Sequence, residues 1–197
     1  MDVQIGVLAL QGDFAAHVRA LARAGTPAIE VRYASQLDGL DGLVMPGGES
    51  TTLLRLIGDS GLEEPLRRFH RRGGAMLGTC AGAILMARSV VNPSQSSFDF
   101  IDLDVERNAY GRQKESFETR EIAPAFGGKP MEMVFIRAPR FRRVGRSVEV
   151  LAVRGEEPVM VRQGRSLAAA FHPELSTDGR VHAYFCALAG ERVATAS

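Results

Sequence analysis

Two short segments carry residue types able to do covalent chemistry: Gly78-Thr79-Cys80-Ala81-Gly82 and, far downstream, Phe171-His172-Pro173-Glu174. A cysteine nucleophile needs a base, and the base needs a third group to orient it. His172 and Glu174 offer both. In extended chain, residues i and i+2 point to the same face, and Pro173 stiffens the backbone between them. A Gly-x-Cys-x-Gly at a strand-to-helix junction is the thiol version of the nucleophile elbow. Its glycines let strand and helix pass close together, and the N–H groups of the helix's first turn favour a thiolate. Each piece alone has a plainer reading: a free cysteine as a buried small hydrophobe, a His-Pro-Glu as a surface turn. Specificity comes from the conjunction of both with a third element, the turn Pro46-Gly47-Gly48-Glu49.

These residues need a scaffold that brings them to one place. The first half of the chain alternates short apolar runs with helical periodicity. Strands are expected at Val3–Leu10, Ala28–Tyr33, Gly42–Met45 and Gly74–Leu77. Between them, Asp13 can cap a helix carrying Phe14, Val18 and Leu21, and Ser50 or Thr51 can cap one running through Ile57. A further helix places Leu62, Leu66 and Phe69 on one face, and Ala81–Arg88 reads as the helix after the elbow. In the second half, Ile101–Arg107, Ser116–Ile122, Met131–Ile136, Val148–Val153, Pro158–Gln163 and Ser166–Phe171 read as strands joined by turns. Val181–Leu188 is a closing helix, and Val193–Ser197 a frayed tail. The expectation is an α/β fold: a three-layer sandwich with a mostly parallel central sheet and an antiparallel hairpin extension, forming a single domain over 1–197. In such sheets ligands bind beyond the carboxyl ends of the strands. Cys80, the Gly47-Gly48 turn and His172 each follow an expected strand.

Composition narrows the alternatives. The net charge is +1 over 197 residues, which gives no electrostatic reason to expect nucleic acid as a partner. Lys114 and Lys129 are the only lysines among the 24 basic residues, an arginine bias attributed to genome composition. Two cysteines make no disulfide framework and suit a reducing cytoplasm. No run is long enough to span a membrane, and the apolar start Val3–Leu10 is too short and wrongly flanked for a signal peptide. No pair of His, Cys or carboxylates has metal-ligand spacing, so neither a metal nor a cofactor is expected. His17, His70 and His182 fall on expected helices and are assigned exposed or packing roles. Cys186, within the closing helix, is assigned a structural one.

The conjunction resembles the class I glutamine amidotransferases, and within them the glutaminase subunits of pyridoxal 5′-phosphate synthase. The resemblance covers nearly the whole chain. It is carried by Gly6–Phe14, Pro46–Thr52, Gly78–Gly82, Val105–Gln113, Phe135–Pro139 and Phe171–Leu175. Ile84 stands where many other amidotransferases have Gln, and Asn92–Phe100 departs from the family pattern.

What the resemblance implies is a Cys80-His172-Glu174 triad that hydrolyses L-glutamine through a γ-glutamyl thioester. Backbone N–H groups of Gly48 and Ala81 would form the oxyanion hole, and Gly47, Gly48, Glu49, Arg107, Ile136 and Arg137 would contact glutamine. The ammonia would pass to a (β/α)₈ synthase subunit within a large hetero-oligomer, docked on the rim formed by Gln11–Asp13 and Glu49–Thr52. Nothing in this chain looks able to build pyridoxal phosphate itself. The peptide between Gly47 and Gly48 is free to flip and is expected to rest with its carbonyl toward the site until docking. Three other readings stay open: a glutaminase subunit of another amidotransferase, a catalytically silent regulatory protein on the same fold, and a stress-type cysteine hydrolase or chaperone.

Overall fold

The computed structural model describes residues 2–107 and 116–191. The expected tail and the Asn108–Gln113 part of one motif lie outside the described residues. In chain order the first half forms β1 (Ile5–Leu8), α1 (Phe14–Arg23), β2 (Ala28–Val31), β3 (Gly42–Met45), α2 (Ser50–Asp59), α3 (Glu63–Arg71), β4 (Ala75–Thr79) and α4 (Ala81–Met86). The second half forms β5 (Ala87–Val91), β6 (Ile101–Glu106), β7 (Ser116–Ile122), β8 (Pro130–Ile136), β9 (Arg140–Val144), β10 (Glu149–Arg154), β11 (Glu157–Gln163), β12 (Ser166–Ala169) and α5 (Arg180–Gly190).

Seven strands make the main sheet, in the order β10-β11-β12-β4-β3-β1-β2. The five from β12 to β2 pair in parallel, while β10 and β11 add an antiparallel edge. Strands β1, β3, β4 and β12 are buried at every position, as strands covered on both faces must be. A mostly parallel sheet with flanking helices matches the expected fold class. One contiguous core runs from Ile5 through Leu43, Met76 and Leu77 to Phe171 and Phe185. Among the described residues, no helix is long and apolar enough to cross a membrane.

Several boundaries differ from expectation. The elbow helix stops at Met86 rather than Arg88, and the chain goes straight into β5, which pairs in parallel with β6. Strand β9 was not expected; it pairs antiparallel with β6 to complete a separate three-stranded sheet. The hairpin β7-β8 stands as a two-stranded sheet. The last strand ends at Ala169, and Ala170–Phe171 lead out of the sheet toward His172. The atypical segment Asn92–Phe100 is anchored by Phe98 and Phe100, both buried, with Phe100 stacked on His70 at 4.4 Å between ring centroids.

Candidate active site

Cys80 sits where β4 turns into α4, with φ 46° and ψ −102°. That is a costly backbone for a residue with a Cβ, and such strain persists only where the surroundings hold it. They do. A side chain at Gly82 would place its Cβ 2.0 Å from the Met45 carbonyl oxygen, and one at Gly78 would lie 2.6 Å from Met86 Sδ. Only glycines let β3, β4 and α4 approach this closely. The Cys80 N–H donates to Ala169 O at 2.9 Å, tying the elbow to the end of β12. Cys80 is 7% exposed: buried rather than displayed, reaching solvent only through a cleft.

The cleft, about 270 Å³, is lined by Gln11, Asp13, Gly48, Glu49, Ser50, Cys80, Ile84, Arg107, Ile136, Arg137, Pro139 and His172. Nearly all the residues singled out in sequence therefore meet in one place. The exceptions lie just behind it. Glu174 is buried behind His172. Gly47 packs under the imidazole, where a Cβ would come 2.5 Å from His172 Cε1. Ala81 is fully buried at the start of α4.

His172 is delivered from the end of β12 and pinned by its N–H donating to Val134 O at 2.8 Å. Its Nδ1 lies 2.7 Å from Glu174 Oε1. Burial alone would lower its pKa, but hydrogen bonds to the Cys80 sulfur and to Glu174 override this and push it up to about 10. Glu174 is held ionised against its own burial by the imidazoles beside it. The result is an imidazolium gripped by an ionised carboxylate and facing the Cys80 sulfur, the arrangement a cysteine nucleophile requires. The Cys80 thiol also lies 3.9 Å from Ile136 O, which comes from the end of β8.

On the outer side, Glu49 is the N-cap of α2, where Ser50 or Thr51 was expected. Its carboxylate accepts from the Thr51 and Thr52 N–H groups at 3.2 and 2.7 Å. Despite some desolvation, those hydrogen bonds lower its pKa to about 2. It also accepts from Arg107 Nη2 at 3.2 Å. Arg107 Nη1, by contrast, is buried with no hydrogen-bond partner among the described residues. Arg137 adds a second, exposed cation on a strained backbone of φ 45°.

Asp13 is the N-cap of α1, but its side chain makes no capping bond. Gln11, which capping leaves without a role, has one in the structure: its Oε1 accepts from the Glu49 N–H at 3.0 Å. The Gly47 carbonyl accepts from the Asp13 N–H at 3.3 Å. Gly48 has φ +152°, and a Cβ there would meet Gln11 Oε1 at 2.5 Å. Ligand atoms of Asp13, His172 and Glu174 lie within 4.8 Å of one another. Since the imidazole and the Glu174 carboxylate are committed to each other, we assign them to the hydrogen-bonded pair and identify no metal ligand among them.

Sequence reasoning missed the cleft-lining roles of Ile84 and Pro139. It also missed what lies behind the site. His17 and His182, assigned packing or exposed roles, are fully buried: His17 lies against Glu174 and Thr79, and His182 lies behind His17.

Comparison with known proteins shows the family. The model of the SNO glutamine amidotransferase family matches residues 7–190. A curated protein of Thermus thermophilus, pyridoxal 5'-phosphate synthase subunit PdxT, is 54% identical over 188 residues, covering 94% of this chain and 97% of that protein. The protein of the same name from Koribacter versatilis is 54% identical over 183 residues, covering 93% of this chain and 94% of its own. A crystal structure described as a glutamine amidotransferase superposes with a TM-score of 0.89 at 50% identity, covering 95% of this chain and 99% of that one. The chain belongs to the SNO glutamine amidotransferase family.

Proposed function

We propose that this chain is the glutaminase subunit of a pyridoxal 5′-phosphate synthase, hydrolysing L-glutamine to L-glutamate and ammonia for a partner synthase subunit. The observation that carries the chemistry is the strained elbow of Cys80 facing an imidazole that Glu174 grips at 2.7 Å, all opening into one cleft.

The steps follow from the charges. The Cys80 thiolate attacks the side-chain carboxamide carbon of glutamine, and the carbonyl oxygen takes up negative charge. The N–H groups of Ala81 and Gly48 are assigned to that oxyanion, where one donor typically contributes ~2.7–4 kcal/mol. The His172 imidazolium gives its proton to the departing nitrogen, so ammonia leaves and a γ-glutamyl thioester remains. Neutral His172 then takes a proton from water, whose oxygen attacks the thioester; glutamate leaves and the thiolate–imidazolium pair is restored. Glu174 keeps the imidazole oriented throughout.

Glutamine is zwitterionic at its other end. Arg107 Nη1 is a buried donor with no partner among the described residues, suited to the α-carboxylate, and Glu49 beside it is ionised and suited to the α-ammonium. Gly47, Ile136 and Arg137 complete the proposed contacts.

Free ammonia at neutral pH protonates and loses its nucleophilicity, so the reaction is useful only next to a consumer. The rim bearing Gln11, Asp13 and Glu49–Thr52 is the proposed docking face for the (β/α)₈ synthase subunit within a larger hetero-oligomer, in the cytoplasm. The bond from Gln11 to the Glu49 N–H links that rim directly to the Gly48 turn. Glutamate release from glutamine, measured with and without the synthase subunit, tests the reading. Hydrolysis that appears or rises sharply on adding the synthase is the expected result; none under either condition would refute it.

A further inference from the structure

Behind the site, a line of buried polar side chains continues away from Glu174. One carboxylate oxygen, Oε1, is held by His172, but the other, Oε2, has no well-aligned donor and is shut off from water. His17 Nε2 lies 3.3 Å from it. The same nitrogen lies 3.0 Å from Thr79 Oγ1. On the far side of the ring, His17 Nδ1 is 3.0 Å from His182 Nε2, and His182 Nδ1 is buried with no hydrogen-bond partner among the described residues. His17 and His182 are both 0% exposed. They come from α1 and α5, 165 residues apart in sequence.

These distances, with the charge on Glu174, favour one arrangement of protons. Glu174 is ionised and can only accept. A bare nitrogen lone pair 3.3 Å from its oxygen would be repelled, so His17 Nε2 carries a hydrogen. Burial lowers the pKa of both histidines, which favours neutral rings with one N–H each. His17 Nδ1 is then bare and accepts from His182 Nε2–H, which leaves His182 Nδ1 as the bare end of the line. An orphaned lone pair there is a milder defect than an orphaned N–H, since backbone and side-chain acceptors are less fully satisfied in general.

We propose that His17 is a positioning residue for the triad: its Nε2–H, oriented by His182 and shared between Thr79 Oγ1 at 3.0 Å and Glu174 Oε2 at 3.3 Å, holds the second carboxylate oxygen in place. This rests on the functional reading above, because Glu174 needs fixing only if it orients a catalytic imidazole. Two fully buried imidazoles would pack as well or better as apolar residues, so packing alone does not explain them. The charged groups that face the pair are Glu174, His172 and Asp13 on the His17 side and Arg23 on the His182 side. Thr79, next to the nucleophile in sequence, shares the Nε2–H and ties the line to the elbow strand.

The test has two arms. In the first, His17→Leu and His17→Gln are assayed for glutaminase in complex with the synthase subunit. Gln keeps an N–H donor at the position of Nε2; Leu has none. Expected for His17→Leu is a loss of kcat of about 10- to 100-fold, the scale of outer-shell hydrogen bonds to functional groups, with KM within about twofold. His17→Gln should restore most of the rate. A merely structural role would give equal losses in both variants, or losses that follow thermal stability, and that would overturn the proposal.

The second arm needs no variant and no turnover. Long-range ¹⁵N–¹H correlation spectra of the histidines should show His17 and His182 neutral, each with its proton on Nε2. A proton on Nδ1 of His17, or an imidazolium there, would reverse the line and overturn the proposal. A wild-type complex that releases no glutamate would count against the functional reading alone, since the spectra decide the hydrogen-bond direction independently.

Discussion

The two sides of His172 are built from different materials. In front, the cleft is lined by charged groups: Glu49 and Arg137 are exposed, and Arg107 has a nitrogen with no hydrogen-bond partner among the described residues. Behind, Glu174, His17, His182 and Thr79 are buried; His17 bonds to His182 and Thr79 and lies 3.3 Å from Glu174. The front has to admit a zwitterion and release two products, so its donors are left for the substrate to satisfy. The back has to hold one carboxylate still while charge moves past it. A hydrogen-bonded line of neutral rings does that without adding a charge that competes for the imidazole. Substitutions in front should therefore split between rate and affinity, and those behind should touch rate alone.

The sharpest break comes from the nucleophile. Cys80→Ala should remove ~10⁴-fold or more of glutaminase activity with the fold intact, and His172→Asn should be comparably severe. Circular dichroism beside the assay checks both halves of that statement.

Gly48→Ala follows. Its φ of +152° and the 2.5 Å approach of Gln11 Oε1 leave no room for a Cβ, so the turn must move and the proposed oxyanion donor with it. A fall in kcat of ~10²–10³ is expected. Binding to the synthase, measured by analytical ultracentrifugation, should be less affected.

Glu174→Gln probes the back through pH. Glu174 is one of the two partners that raise His172, so removing its charge lowers the pKa of the imidazole. The imidazolium form is then lost at lower pH, and the alkaline limb of the rate profile moves downward from its position well above 6.5. The rate at neutral pH falls by less than in Cys80→Ala, since orientation is lost rather than the base.

Arg107→Met probes the front. Losing a charge-assisted hydrogen bond of about 1.5–3 kcal/mol should raise KM for glutamine by roughly 10- to 100-fold with little change in kcat. If kcat falls instead, the division between the two sides of His172 fails.

Cys186→Ser is the smallest. Burial raises this thiol's pKa and Thr26 offers it a hydrogen bond, so a hydroxyl should be accommodated with activity unchanged.

The division also decides what could be read from sequence. The front was legible because its chemistry is local: Gly-x-Cys-x-Gly, Pro-Gly-Gly-Glu and His-Pro-Glu each compress a turn and a functional side chain into a few residues. The back was not. His17 and His182 sit at ordinary positions on amphipathic helices, and only the packing of α1 and α5 onto the sheet brings them together. The fold's misses are of the same kind. Ala81–Val91 is nearly continuous in small and apolar residues, so periodicity does not mark where α4 yields to β5. In β9, Arg140-Phe141-Arg142-Arg143-Val144, only Phe141 is fully buried, leaving too little alternation to signal a strand. The cap of α2 fell to Glu49 because its longer side chain reaches both the Thr51 and Thr52 N–H groups, which the common cap types Ser and Thr obscure.

The central claim is that Cys80 attacks glutamine in this cleft. It is tested most directly by treating the complex with a diazoketone analogue of glutamine and locating the adduct by peptide mass mapping. One label per chain on Cys80, protected by glutamine and matching the loss of glutaminase activity, is the predicted result. Label on Cys186, or loss of activity with Cys80 unmodified, would contradict it.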